Sequence, residues 1–207
     1  MSARSRASSS AGGRRPVSRT GGPRAASHTG GRRAGGLRAP EHASAQQAPR
    51  AIGVAIVTVS DTRRGADDTS GALAETLLTG AGANVSRAWV KDDVAAIRRA
   101  LRAALARRAV DVVVFTGGTG LAARDVTPEA VESLLDRALP GFGERFRALS
   151  AREVGSAAWL SRAGAGVARG RLIVYLPGSS GAVRQALQEL LIPELAHAVR
   201  LLGRFQP

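Results

Sequence analysis

Thr116-Gly117-Gly118-Thr119-Gly120 is followed closely by Arg124-Asp125 and then by Thr127-Pro128-Glu129. These residue types at this spacing suit phosphate chemistry. Glycines let backbone N–H groups approach a phosphate with no Cβ in the way. An acid such as Asp125 repels an anion, so its place beside the loop makes sense if a divalent cation lies between carboxylate and phosphate. The loop is not a Walker A sequence, because it lacks the Lys-Ser/Thr pair and no Lys lies near it. A ligand-free tight turn would not need four small residues in a row.

The elements around the loop are those that could position it. Val112 to Thr116 reads as a buried strand, and Thr127-Pro128 reads as an N-cap with Pro at the first helical position, for a helix through Leu135. A strand thus feeds a loop and the loop feeds a helix N-terminus, the place where open α/β sheets bind anionic ligands. Residues 52–59 are apolar on both faces and predict another buried strand, as do 171–176; residues 85–90 predict a further strand. Helices are predicted over 71–78, 94–108, 141–151 and 182–202, the last with a bend at Pro193. Residues 155–168 fit no clear pattern, and Gly164, Gly166 and Gly170 read as loop glycines. The alternation predicts an α/β fold: a doubly wound, mostly parallel sheet with helices on both faces.

Further polar groups fall at the ends of predicted strands. Ser60 and Asp61 follow the first, with Asp67-Asp68-Thr69-Ser70-Gly71 beyond them. Pro177-Gly178-Ser179 follows the strand at 171–176. Loops leaving one edge of one sheet would share one cleft. Asp92 and Asp93 precede the helix at 94–108, where acids also serve the helix dipole.

Composition limits the alternatives. The 207 residues contain no Cys and three His, of which His28 and His42 lie in the first fifty residues. That excludes thiolate chemistry and Cys-based metal sites and disfavours a Ser-His-Asp triad. Residues 1–50 carry ten Arg against one acid, Glu41, with Val17, Leu37 and Met1 as their only large apolar residues. Such a segment is expected to be a disordered tail preceding a domain at 51–207. Its Arg pairs precede no apolar core, so no export signal is predicted. Its composition also fits an organellar transit peptide, a compositionally biased genome, or translation starting nearer residue 50. The basic tail could bind nucleic acid without sequence preference. Trp89 and Trp159 read as packing residues among only seven aromatics. No run of 18 apolar residues predicts a membrane span.

Taken in order, Ser60-Asp61, Asp68-Thr69-Ser70-Gly71, Asp92-Asp93, Thr116 to Glu129 and Leu176-Pro177-Gly178-Ser179 resemble the MoaB/MogA family of molybdenum-cofactor biosynthesis proteins. The resemblance covers about residues 51–203. Gly141 to Ser150 (GFGERFRALS) looks more like the MoaB branch. The glycine-loop motif is shared with molybdenum-insertion proteins and CinA-like proteins. The resemblance implies a molybdopterin-binding α/β domain, a homotrimer or hexamer, and contact with other proteins of the pathway. It implies adenylylation of molybdopterin by Mg²⁺-ATP, with release of pyrophosphate. The alternative within the family is a molybdopterin-binding protein without that activity. The catalytic and Mg²⁺-binding carboxylates would be Asp92 and Asp125. The family usually has Pro before the first of these, where this chain has Lys91, so Asp93 competes with Asp92 for that place. The substrate-binding residues would be Ser60, Asp61, Ser70, Gly71, Thr116, Gly117, Gly118, Thr119, Gly120, Thr127, Pro177, Gly178 and Ser179. A cytoplasmic location is expected, where ATP and pterin intermediates are found.

Overall fold

A computed structural model of the chain describes residues 50–203. The expectations for the tail, its disorder and its nucleic-acid binding, concern residues 1–49 and lie outside the described residues. Arg50, assigned to the tail from sequence, makes a two-pronged ion pair with the fully buried Asp111 (2.9 and 2.7 Å), whose Oδ2 also accepts from Gly53 N–H.

Six strands form one sheet in the order β2-β1-β3-β6-β5-β4. They are β1 (Gly53–Val59), β2 (Asn84–Val90), β3 (Val112–Thr116), β4 (Arg137–Ala138), β5 (Gly164–Ala168) and β6 (Arg171–Leu176). The four strands β2, β1, β3 and β6 are parallel; β5 runs antiparallel to β6 and pairs antiparallel with β4. The helices are α1 (Thr69–Gly80), α2 (Val94–Ala106), α3 (Thr127–Glu132), α4 (Pro140–Val154), α5 (Ser180–Ala186) and α6 (Ile192–Leu201).

β1, β3 and β6 are buried along their whole length because both of their faces are covered. Val54, Ile56, Val112, Val114 and Val174 pack with Ala74 and Leu78 of α1, Phe146 of α4 and Val183 of α5. Val57, Val113, Phe115 and Ile173 point the other way, onto Ile97, Leu101 and Leu105 of α2 and Val131 of α3. A parallel pair needs a crossover between its strands. From β1 the chain crosses through α1 to β2, then returns through α2 to β3 on the other side of β1. The connections therefore diverge between the carboxyl ends of β1 and β3, and a crevice opens there.

Several boundaries differ from those predicted. Helix α1 starts at Thr69, not Gly71, because the Asp68 carboxylate caps it by accepting from Gly71 N–H (2.8 Å). Helix α3 ends at Glu132, not Leu135, and its N-cap is Val126, without a side-chain bond. Gly164 and Gly166 lie in β5, not in a loop; a Cβ at Gly164 would sit 2.2 Å from the Tyr175 hydroxyl, and one at Gly166 would sit 2.4 Å from Leu135 Cδ1. The last helix carries a π turn at Leu187–Leu191. Pro193 has no N–H, and its ring crowds the carbonyl of Glu189, so the regular ladder is broken just before it. Trp159 is 72% exposed and does not pack, while Trp89 is half-buried with the Arg64 guanidinium 3.6 Å over its ring. No helix among the described residues is long and apolar enough to cross a membrane.

Candidate active site

A cleft of about 370 Å³ opens at the carboxyl ends of β1, β3 and β6. Ser60 and Asp61 come from the β1 exit, Ser70 from the start of α1, and Asp92 from the β2 exit. Thr116 to Gly120 and Asp125 come from the β3 exit, and Pro177, Gly178 and Ser179 from the β6 exit. One sheet edge thus gathers residues spread over more than a hundred positions. Gly71 and Thr127 stand behind the cleft wall. The missing Cβ of Gly71 admits Asp68 and Thr58. Thr127, expected as an N-cap and ligand contact, is fully buried; its hydroxyl donates to Gly117 C=O (2.8 Å) and its N–H to Gly118 C=O (3.0 Å). It shapes the loop from beneath.

The glycine loop is built by close approach. Gly117 and Gly118 have φ of 110° and 63°, in the left-handed region that favours glycine. A Cβ at Gly117 would lie 2.1 Å from the Val59 carbonyl oxygen, so the loop rests directly on the end of β1. A Cβ at Gly118 would lie 2.6 Å from Asp92 Oδ1, and one at Gly120 would lie 2.6 Å from Asp125 Oδ2. The glycines therefore make room for two carboxylates that come from different strands. The Thr116 hydroxyl, at the cleft floor, is buried and has no partner among the described residues.

Adjacent acids divide their tasks. Asp93 caps α2, accepting from Ala96 N–H (2.8 Å), and Asp92 faces the cleft. Asp92 Oδ1 accepts from Val126 N–H (3.3 Å), and Asp92 N–H donates to Asp61 Oδ1 (3.2 Å). Burial pushes the Asp92 carboxyl above the ordinary carboxylate range. Asp125 and Asp61 push the same way, against the Val126 N–H and Arg124. The Asp125 carboxylate accepts from Ala122 N–H (2.9 Å). No group of three or more acidic or His side chains among the described residues could hold a metal ion unaided. Two convergent carboxylates suit a cation of the Mg²⁺ type, which takes one or two protein acids and completes its shell with substrate phosphates and water.

Sequence reasoning assigned no role to Arg63, Arg124 or Arg162. Arg63 and Arg124 line the cleft, and Arg63 reaches across it to Gly178 C=O (3.0 Å). Arg124 stands next to Asp125 in the motif, a signal that could have been used. Arg162 binds the glycine loop from the side of β5 and carries no local signature.

The family model described as "Probable molybdopterin binding domain" matches residues 55–197. "Molybdenum cofactor biosynthesis protein B" of Halalkalibacterium halodurans is 46% identical over 157 residues, covering 75% of this chain and 92% of that relative. The protein of the same name from Bacillus subtilis is 47% identical over the same shares. Among solved structures, a crystal structure of molybdenum cofactor biosynthesis protein B has a TM-score of 0.73 at 48% identity, covering 77% of this chain and all of that one. The molybdopterin biosynthesis enzyme MoaB of Thermus thermophilus has a TM-score of 0.65 at 39% identity, covering 73% and 96%.

Proposed function

This chain belongs to the MoaB/MogA family of molybdenum-cofactor biosynthesis proteins, in its MoaB branch, and we propose that it adenylylates molybdopterin with Mg²⁺-ATP. The observation that carries the reading is the placement of Asp92 and Asp125 against Gly118 and Gly120, two acids beside a loop suited to phosphate. Acids at such a loop repel an anion unless a cation joins them.

In this reading an oxygen of the molybdopterin phosphate attacks the α-phosphorus of ATP. A phosphoanhydride bond forms, the bond to the β-phosphate oxygen breaks, and pyrophosphate leaves. The attacking phosphate is already ionised, so no side chain need take a proton. The chain's task is to bring two anions together and hold them in line. Backbone N–H groups of Gly118 to Gly120 bind the pterin phosphate, while the Gly117 N–H donates to Leu176 C=O (2.9 Å) and ties the loop to β6. The unpartnered Thr116 hydroxyl offers a further bond at the floor. Arg63 and Arg124 offset phosphate charge at the rim. Asp92 and Asp125 would hold Mg²⁺, which when bound draws charge from the α-phosphorus and the leaving pyrophosphate.

The test is pyrophosphate release by the full chain with molybdopterin, ATP and Mg²⁺. Release that requires all three is the expected result. Molybdopterin bound with no pyrophosphate released would instead support a binding protein of the same family, and would remove the catalytic roles from both acids.

A further inference from the structure

Among the described residues, Arg162 is the single side chain that grips both ends of the segment carrying Asp125. It reaches the cleft because β5 runs antiparallel to β6: Gly164, the first residue of β5, pairs with Tyr175 near the end of β6. The entry to β5 therefore lies at the sheet edge where β1, β3 and β6 exit. From there Arg162 Nε donates to Gly120 C=O (2.9 Å) and Nη2 donates to Asp125 C=O. Its own backbone N–H donates to Thr119 C=O (3.1 Å), and Nη1 pairs with the Glu129 carboxylate. The planar fork of a guanidinium suits two carbonyls held at fixed separation.

Peptide planarity extends the effect. In a trans peptide the C=O of one residue and the N–H of the next point in opposite directions. Holding the carbonyls of Thr119, Gly120 and Asp125 toward Arg162 turns the N–H groups of Gly120, Leu121 and Val126 away from it. The Val126 N–H, so turned, meets Asp92 Oδ1 at 3.3 Å. One arginine outside the cleft thus sets the placement of Asp125 and the direction of a donor to Asp92.

We propose that Arg162 is a positioning residue: it locks residues 119–126 so that Asp125 and the Val126 N–H keep their places opposite Asp92. Its effect on turnover rests on the adenylyl-transfer reading; its effect on the loop does not. The experiment compares the full-length chain with Arg162→Ala and Arg162→Lys. Hydrogen exchange over residues 117–127 is followed without ligand, and pyrophosphate release is followed with and without millimolar guanidinium ion. Loop exchange should quicken about tenfold or more in both variants, with β1 unchanged. Turnover should fall by about 10²-fold, as for a misplaced catalytic group. Added guanidinium should recover part of the loss in Arg162→Ala, which a general loss of stability would not allow. Lysine has no planar fork and should restore little; it also supplies the second variant if the alanine protein fails to fold. Unchanged loop exchange, or faster exchange with full turnover, overturns the proposal. If the unaltered chain releases no pyrophosphate, the adenylylation reading fails. Loop exchange, read with molybdopterin affinity in the three proteins, then decides the positioning role: both must change in the variants, and either one unchanged refutes it.

Discussion

Gly120→Ala separates the geometry of the site from the stability of the fold. Gly120, unlike Gly117 and Gly118, lies outside the left-handed region, so a methyl group adds no backbone strain. Its Cβ would lie 2.6 Å from Asp125 Oδ2, whereas ordinary contact begins at 3.4 Å, so the carboxylate must retreat by about 0.8 Å, the difference between the two. The obstacle is the tip of a side chain, not backbone, and it can swing aside. The fold then loses the Ala122 N–H bond to Asp125, a net cost of about 0.5–1.5 kcal/mol. That lowers Tm by about 1–6 °C in a domain of this size. A carboxylate displaced by nearly 1 Å from its place in the site should reduce turnover by about 10²-fold. The assays are a thermal melt and molybdopterin-dependent pyrophosphate release on the same preparation. Turnover within about threefold of the unaltered chain, in a protein that melts normally, would refute the claim that these glycines exist to seat the carboxylates.

Asp125→Asn should leave molybdopterin binding intact while cutting turnover by about 10²-fold or more, seen as a change in kcat without a matching change in pterin Kd. Gly117→Ala should instead damage the fold: its Cβ meets the Val59 carbonyl oxygen at 2.1 Å and its φ is 110°, so urea unfolding should show a loss of about 3 kcal/mol or more. Asp68 has its carboxyl pushed up by burial, yet hydrogen bonds from Thr58, Gly71 N–H and Arg87 outweigh this and hold it below the ordinary value. A lowered folded pKa stabilises above the unfolded value near 3.8 and loses that contribution as pH falls through the folded one. Asp68→Asn should therefore flatten the acid limb of the stability curve, and Asp68→Ala should cost about 1–3 kcal/mol by leaving the buried Thr58 hydroxyl and Gly71 N–H unpaired. Because Asp61 helps to hold the Asp92 carboxyl above the ordinary range, Asp61→Asn should move the acid limb of the turnover profile to lower pH.

What the sequence made legible depended on how local the cause was. β1, β3 and β6 are continuous apolar runs, and two covered faces are the reason for such runs, so their existence was clear. The glycine loop and Asp125 were clear because loop and acid lie within one short segment. The choice between Asp92 and Asp93 was not. Adjacent residues leave an extended segment on opposite sides, and only the angle at which the chain enters α2 decides which acid turns inward. Asp93, with φ −138° and ψ 129°, caps the helix. That geometry is set by how α2 packs on the sheet, through Ile97, Leu101 and Leu105.

β5 was misread for a related reason. Gly164-Ala165-Gly166-Val167-Ala168 has the composition of a loop because its small residues serve neighbours. Tyr175, Leu135 and the Arg137 carbonyl occupy the space that side chains on Gly164 and Gly166 would fill. The need for glycine lies in what packs over the strand, so it has no signature along the strand itself. Arg162 follows from the same hidden pairing. Without an antiparallel β5 it would be an ordinary loop arginine; with it, the residue lies against a loop some forty positions earlier. A motif can advertise the groups that touch a substrate, because their chemistry restricts residue type. The groups that hold those residues still are chosen by the fold, and they come into view only with its topology.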